Sequence, residues 1–130
     1  INKLLEGTNR KVYLIHGDID KDDRDNLKEK IENEIGSVIV ASYGTSSTGT
    51  SIKNLHRGIF AHPTKSKVIN LQSIGRLLRL HDSKLIAILF DIIDDLSIKK
   101  YKNFALKHAI ERVKLYAREK LNYKLIKVQI

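Results

Sequence analysis

The sequence predicts an α/β fold: a mostly parallel β-sheet with helices on both faces, in a single domain spanning residues 1–130. Three observations carry this. Short apolar runs of strand type recur at 11–15, 37–41, 59–61 and 84–90. Stretches with helical spacing of their apolar residues lie between them. Finally, glycine- or hydroxyl-rich segments starting at His16, Ser42 and His62 each follow a strand, as at the carboxyl edge of a parallel sheet, where ligands gather.

Residues 1–7 read as the end of a helix, with Gly7 as its stop. Lys11–Ile15 is rich in β-branched and aromatic residues and reads as a first strand, broken by His16-Gly17-Asp18. Asp20 is placed to cap a helix with Leu27, Ile31 and Ile35 as its stripe, running up to Gly36. Ser37–Ala41 is a second strand of buried type, and Ser42–Thr50 a loop of small and hydroxyl residues. Ile59–Ala61 is a third short strand closed by Pro63; Ser66 or Lys67 opens the next helix. Lys84–Phe90 is a fourth strand, followed by Asp91, Asp94 and Asp95. A long helix is expected over 99–120 with Leu106, Ile110, Val113 and Ala117 as its apolar stripe, then a loosely alternating edge strand over 122–130.

The hydrophobic share of 42% is that of a globular chain. Absence of cysteine excludes disulfides and thiolate metal sites and is compatible with a reducing cytoplasm. No apolar run approaches the roughly 18–20 residues of a membrane span, and no signal peptide opens the chain. The start at Ile1 and the lack of any methionine read as a piece of a longer polypeptide. Of the net charge of +9, residues 99–130 supply +8, with 10 Lys+Arg against 2 Asp+Glu. Such a block points to an anionic polymer or surface, or to a solubilising tail. Lys107, Lys114 and Arg118 share one side of the expected helix.

The stretch richest in chemistry is Gln72–Arg79. On a helix, at about 100° per residue, Gln72, Arg76 and Arg79 fall within an arc of roughly 60°, opposite Leu71, Ile74, Leu77 and Leu78. Gly75 borders that polar edge, where a missing side chain lets another surface come close, at about 1 kcal/mol of helix propensity. Two guanidiniums a turn apart repel unless something anionic joins them. A polyphosphate matches their forked donors, and a solvated helix face is the plain alternative. Gly44–Ser51 nearly spells a phosphate loop, but Thr50 stands where its lysine belongs, so a self-contained nucleotide site is not expected. A loop with free backbone amides can still hold a nucleic-acid phosphate. The histidines form no metal pattern: a strand separates His56 from His62, His16-Gly17 is a turn, and His81-Asp82 a helix end. Asp91, Asp94 and Asp95 read as a solvated turn or cap rather than a Mg²⁺ site.

Gln-x-x-Gly-Arg-x-x-Arg at 72–79 resembles motif VI of the superfamily 2 helicases and translocases, which lies on their second RecA-like motor domain. Val38–Ser42 through Thr48–Ile52 resembles motif V, with a one-residue length difference and Ser51 where an aspartate is frequent. His16-Gly17-Asp18 with Arg24 resembles motif IVa, with Lys21 in place of a frequent glutamine. The resemblance spans about residues 10–95 by motif. Phage recombination helicases come nearest, through 40–44, 53–56, 94–95 and the basic 106–108 stretch.

The resemblance implies a RecA-like fold and a set of roles. Arg79 and Arg76 would be catalytic, Arg79 as the arginine finger. Gln72, Gly75, Gly49 and Ser51 would face the nucleotide, and His16, Gly17, Arg24, Ser42 and Thr48 the nucleic-acid track, extended by Lys107, Lys114 and Arg118. ATP and Mg²⁺ would be bound jointly with an N-terminal RecA-like domain of the same polypeptide, since a true phosphate loop and an Asp-Glu-x-His/Asp box are both missing here. The isolated chain is therefore expected to be inactive. The expected partner is DNA, branched or single-stranded, in recombination or replication, in the cytoplasm of a bacterial host and with no membrane role. A nucleic-acid-binding module without nucleotide chemistry is the alternative, and it leaves Gln72, Gly75 and Arg76 unexplained.

Overall fold

The computed structural model describes residues 7–44, 52–62, 64–98 and 103–128. In chain order these form β1 (Val12–Ile15), α1 (Lys21–Glu32), β2 (Val38–Ala41), β3 (Arg57–Phe60), α2 (Lys67–Leu77), β4 (Ile88–Asp91) and α3 (Phe104–Arg118). All strand pairing is parallel. β1 pairs with β2, Val12 opposite Val38, and β3 pairs with β4, Arg57 opposite Ile88. The ladders form two two-stranded sheets. Each pair is joined by a crossover through a helix, as parallel strands require.

α1 starts where expected: the Asp20 carboxylate accepts from the Lys21 amide. It stops earlier than its apolar spacing indicates. Asn33 is the C-cap, and Ile35, placed in the stripe by sequence, is fully exposed. Leu27 and Ile31 remain inward and pack with Ile15, Ile52, Tyr13, Ile39 and Leu55.

A second core joins Phe60, Ile74 and Tyr116, with Tyr43, Leu89 and Leu121 against it. α2 runs back along β3: Ile74 meets Phe60 near one end, and Leu77 lies over Gly58 near the other. A Cβ on Gly58 would stand 3.1 Å from Leu77 Cδ2 and 3.3 Å from Leu89 Cδ1, so this glycine permits the close approach of helix to sheet. Burying an Ile or Leu side chain such as these contributes about 1.5–3 kcal/mol. On the opposite face of the β3–β4 ladder, Ile59, Ile88 and Phe90 are exposed.

α3 departs from its expected stripe. Its buried residues are Ala109, Arg112, Leu115 and Tyr116, while Ala117 is exposed and Leu106, Ile110 and Val113 are only half-buried. The reason is an ion pair. Arg112 donates to both carboxylate oxygens of Asp91, at 2.8 and 2.7 Å, and to the Thr64 carbonyl at 3.2 Å, while Tyr116 Oη donates to Asp91 at 2.8 Å. Asp91 is thus a buried anchor for α3, correcting its reading as part of a solvated turn. Asp95 does cap a turn, accepting from the Ser97 amide. Residues 122–128, the described part of the strand expected over 122–130, form no ladder.

Candidate functional site

α2 opens at Ser66, whose Oγ accepts from the Ile69 amide at 3.4 Å. Asn70, Ile74 and Leu77 turn inward, leaving Gln72 and Gly75 exposed and Arg76 half-buried on the outer side. A Cβ at Gly75 would meet nothing within 4 Å, so that edge is open to an approaching surface. The helix ends at Leu78, whose amide reaches the Ile74 carbonyl at 2.9 Å. Arg79 therefore stands just beyond the helix rather than on its last turn, its backbone amide donating a hydrogen bond to the Arg76 carbonyl at 3.3 Å. Burial first, and then the charge of Arg79, push Arg76 below its ordinary pKa, so the two cations lie near enough to repel. An anion between them would relieve that repulsion.

His16 and Gly17 follow β1, and Ser42 follows β2. Because Ile15 and Ala41 are register partners, the three residues share the carboxyl edge of that ladder. Arg24 Nη2 donates to the Ile19 carbonyl at 2.9 Å, so its guanidinium braces the turn that presents His16 and Gly17. Tyr43, next to Ser42, sits edge-on to Phe60 at 5.7 Å and donates to the His62 carbonyl at 3.1 Å, tying the end of β2 to the end of β3. Since α2 runs back along β3, Arg76 and Arg79 lie toward the amino end of β3 and away from that carboxyl edge. Thr48, Gly49 and Ser51 lie outside the described residues.

On α3, Lys107, Lys114 and Arg118 are exposed, but each has company. Lys107 stands 5.4 Å from the centre of the Phe104 ring, Lys114 pairs with Glu111 at 2.8 Å, and Arg118 pairs with Glu119 at 2.8 Å. No group of three His, Asp or Glu able to hold a metal ion occurs among the described residues.

Sequence reasoning missed a polar cluster beyond α2. Glu32 accepts from the Lys53 and Asn54 amides at 3.0–3.1 Å. Ser83 Oγ donates to Asn54 at 3.0 Å and lies 2.8 Å from His81 Nδ1, and the Ser83 carbonyl is 3.1 Å from His56 Nε2. His81 belongs to this cluster rather than to the helix end. No local pattern marks such contacts, because all but the His81–Ser83 one join residues 21 to 29 positions apart.

The helicase conserved C-terminal domain matches residues 1–81, most of the chain. The chain belongs to that family. It is 47% identical over 130 residues to the ATP-dependent DNA helicase UvsW of Enterobacteria phage T4, an alignment covering 92% of this chain and 26% of UvsW. In structure it is similar to the C-terminal part of the Fun30 ATPase domain, with a TM-score of 0.60 at 14% identity, over 90% of this chain and 43% of that one. The helicase domain thus has the RecA-like parallel fold expected from its motifs, and it spans about a quarter of the length of UvsW. No described helix is long and apolar enough to cross a membrane.

Proposed function

We propose that residues 1–130 are the second motor domain of an ATP-dependent DNA helicase or translocase that remodels branched recombination or replication intermediates. ATP lies between this domain and an N-terminal RecA-like domain of the same polypeptide, which supplies the phosphate loop and the ligands for Mg²⁺. The observation that carries the reading is the repelling pair Arg76 and Arg79 beside the open edge at Gly75. Gln72, Gly75, Gly49 and Ser51 face the nucleotide. When water attacks the γ-phosphorus and the bond to ADP breaks, charge spreads over the transferred oxygens. Arg79, with Arg76, meets that charge. The DNA strand runs past His16, Gly17, Ser42 and Thr48 on the other edge, with the turn held by Arg24, and the basic face of α3 adds sequence-independent contacts. Domain closure on ATP and opening after hydrolysis moves one edge relative to the other.

The test is steady-state DNA-stimulated ATPase of the two-domain motor carrying Arg79→Ala. A finger meets charge that develops mainly in the transition state, so kcat should fall by about 10³–10⁵ with ATP and DNA binding largely kept. Arg79→Lys should be nearly as poor, since it keeps charge and loses the fork. Near-normal kcat on folded protein would overturn the proposal in favour of a binding module without nucleotide chemistry.

A further inference from the structure

Arg79 sits in a loop that the Lys84 side chain helps to close. Lys84 Nζ donates to the Leu77 carbonyl at 2.8 Å and to the Lys53 carbonyl at 3.1 Å. Leu77 is the last residue of α2, so its carbonyl is one of those that a helix end leaves without an internal partner. A cation there also meets the negative end of the helix dipole. The first bond turns residues 77–84 into a ring with Arg79 inside it. The ring is tightened by the Lys84 amide on the His81 carbonyl at 2.9 Å and by Ser83 on Asn54. The second anchor is itself fixed, because Glu32 accepts from the Lys53 and Asn54 amides. Partial burial pushes the Lys84 ammonium below its ordinary pKa.

We propose that Lys84 is a positioning residue for Arg79: its ammonium, shared between the Leu77 and Lys53 carbonyls, fixes the loop that presents the guanidinium. This rests on the reading of Arg79 as the finger. Lys84 acts through Arg79 and does not touch the nucleotide. Its loss leaves Arg79 intact in chemistry but loosens the loop that carries it. Misplacement by about 1 Å is enough to cost on the order of 10²-fold in rate.

The experiment compares Lys84→Met, Lys84→Arg and Arg79→Ala in the two-domain motor, reading kcat, KM for ATP and melting temperature. Lys84→Met should lower kcat by about tenfold or more, leave KM within about twofold, and stay folded at the assay temperature. Lys84→Arg, whose guanidinium can still donate to both carbonyls, should recover most of the loss. If Lys84→Met does not stay folded, Lys84→Gln takes its place under the same criterion. Normal kcat in the Lys84 variants beside a dead Arg79→Ala protein would overturn the positioning role alone, as would activity lost only in step with stability. Normal turnover in Arg79→Ala would instead overturn the finger reading on which it rests.

Discussion

Arg112 and Asp91 form a two-pronged ion pair whose side chains are only 2% and 10% exposed, and it is this contact that decides which face of α3 turns inward. The third guanidinium nitrogen also has a partner, as Arg112 Nη1 donates to the Thr64 carbonyl, and Tyr116 shares the Asp91 carboxylate. A pair so deep is costly to break from one side, because the surviving charge stays buried without its partner.

Asp91→Ala should therefore destabilise the chain by about 3–5 kcal/mol, measured by urea denaturation. Replacing both partners, as in Asp91→Leu with Arg112→Met, should recover much of that loss. Tyr116→Phe removes one hydrogen bond to a charged acceptor and should cost about 1.5–3 kcal/mol. Additive losses in the double variant would refute the coupling.

Two glycines should respond in opposite ways to alanine. At Gly58 the new methyl would press on Leu77 and Leu89, and overpacking of this kind costs about 1–3 kcal/mol. At Gly75 the methyl meets open space within an exposed helix and should stabilise the chain by about 0.5–1 kcal/mol. In the assembled motor the same Gly75→Ala change should slow ATP turnover, since the proposed approach of another surface needs that space. Thermal melts of the chain and ATPase of the motor separate the two effects.

Glu34 gives the fold an acid-sensitive tie. Its carboxylate accepts from Lys11 Nζ and Tyr13 Oη, both at 2.6 Å, and these bonds hold it below its ordinary pKa. A depressed folded-state value means stability that is present above the unfolded value of 4.5 and lost as pH falls through the lower folded value. The melting temperature should therefore drop less between neutral and acid pH in Glu34→Gln than in the parent. Lys11 is raised by the same partner, so its share is present below 10.5 and fades above it as pH climbs through the raised folded value. Identical pH profiles for parent and Glu34→Gln would remove this account.

The basic face of α3 should bind DNA weakly and without sequence preference. Lys114 and Arg118 already sit on Glu111 and Glu119, which offsets part of their charge. Anisotropy with a labelled oligonucleotide should show affinity falling with salt. The logarithmic slope should be shallow, at about 0.7–0.9 for each phosphate neutralised. Reversing Lys107, Lys114 and Arg118 together should abolish it, and salt-independent binding would rule the face out.

Four of the five expected strands and the starts of α1 and α2 were legible because apolar runs and capping side chains are local signals, whereas α3, expected over 99–120, opens at Phe104 behind Asn103. Asp20, Ser66 and the four strands of the two ladders stand within a few residues of where the sequence placed them. The face of α3 was not legible. Hydropathy assigns an arginine to the outside, and nothing near Arg112 announces a carboxylate 21 positions earlier. The end of α2 failed for a similar reason, since Leu78 continues the apolar spacing while its backbone closes the helix. Gln72, Arg76 and Arg79 were recognisable by residue type and offset. The Lys84 contact that closes the loop around Arg79 depends on the chain folding back on itself, and spacing cannot express that.

Every ladder among the described strands is parallel, and this governs how the chain finds its fold. Among the described strands no hairpin is available to form early from neighbours in sequence. Val12 must meet Val38, and Arg57 must meet Ile88, each across a whole helix. The entropy of closing those crossovers is spent before any ladder bond returns it. Folding should therefore be slower than for a helical bundle of this length, with the helices flickering into place before either ladder locks.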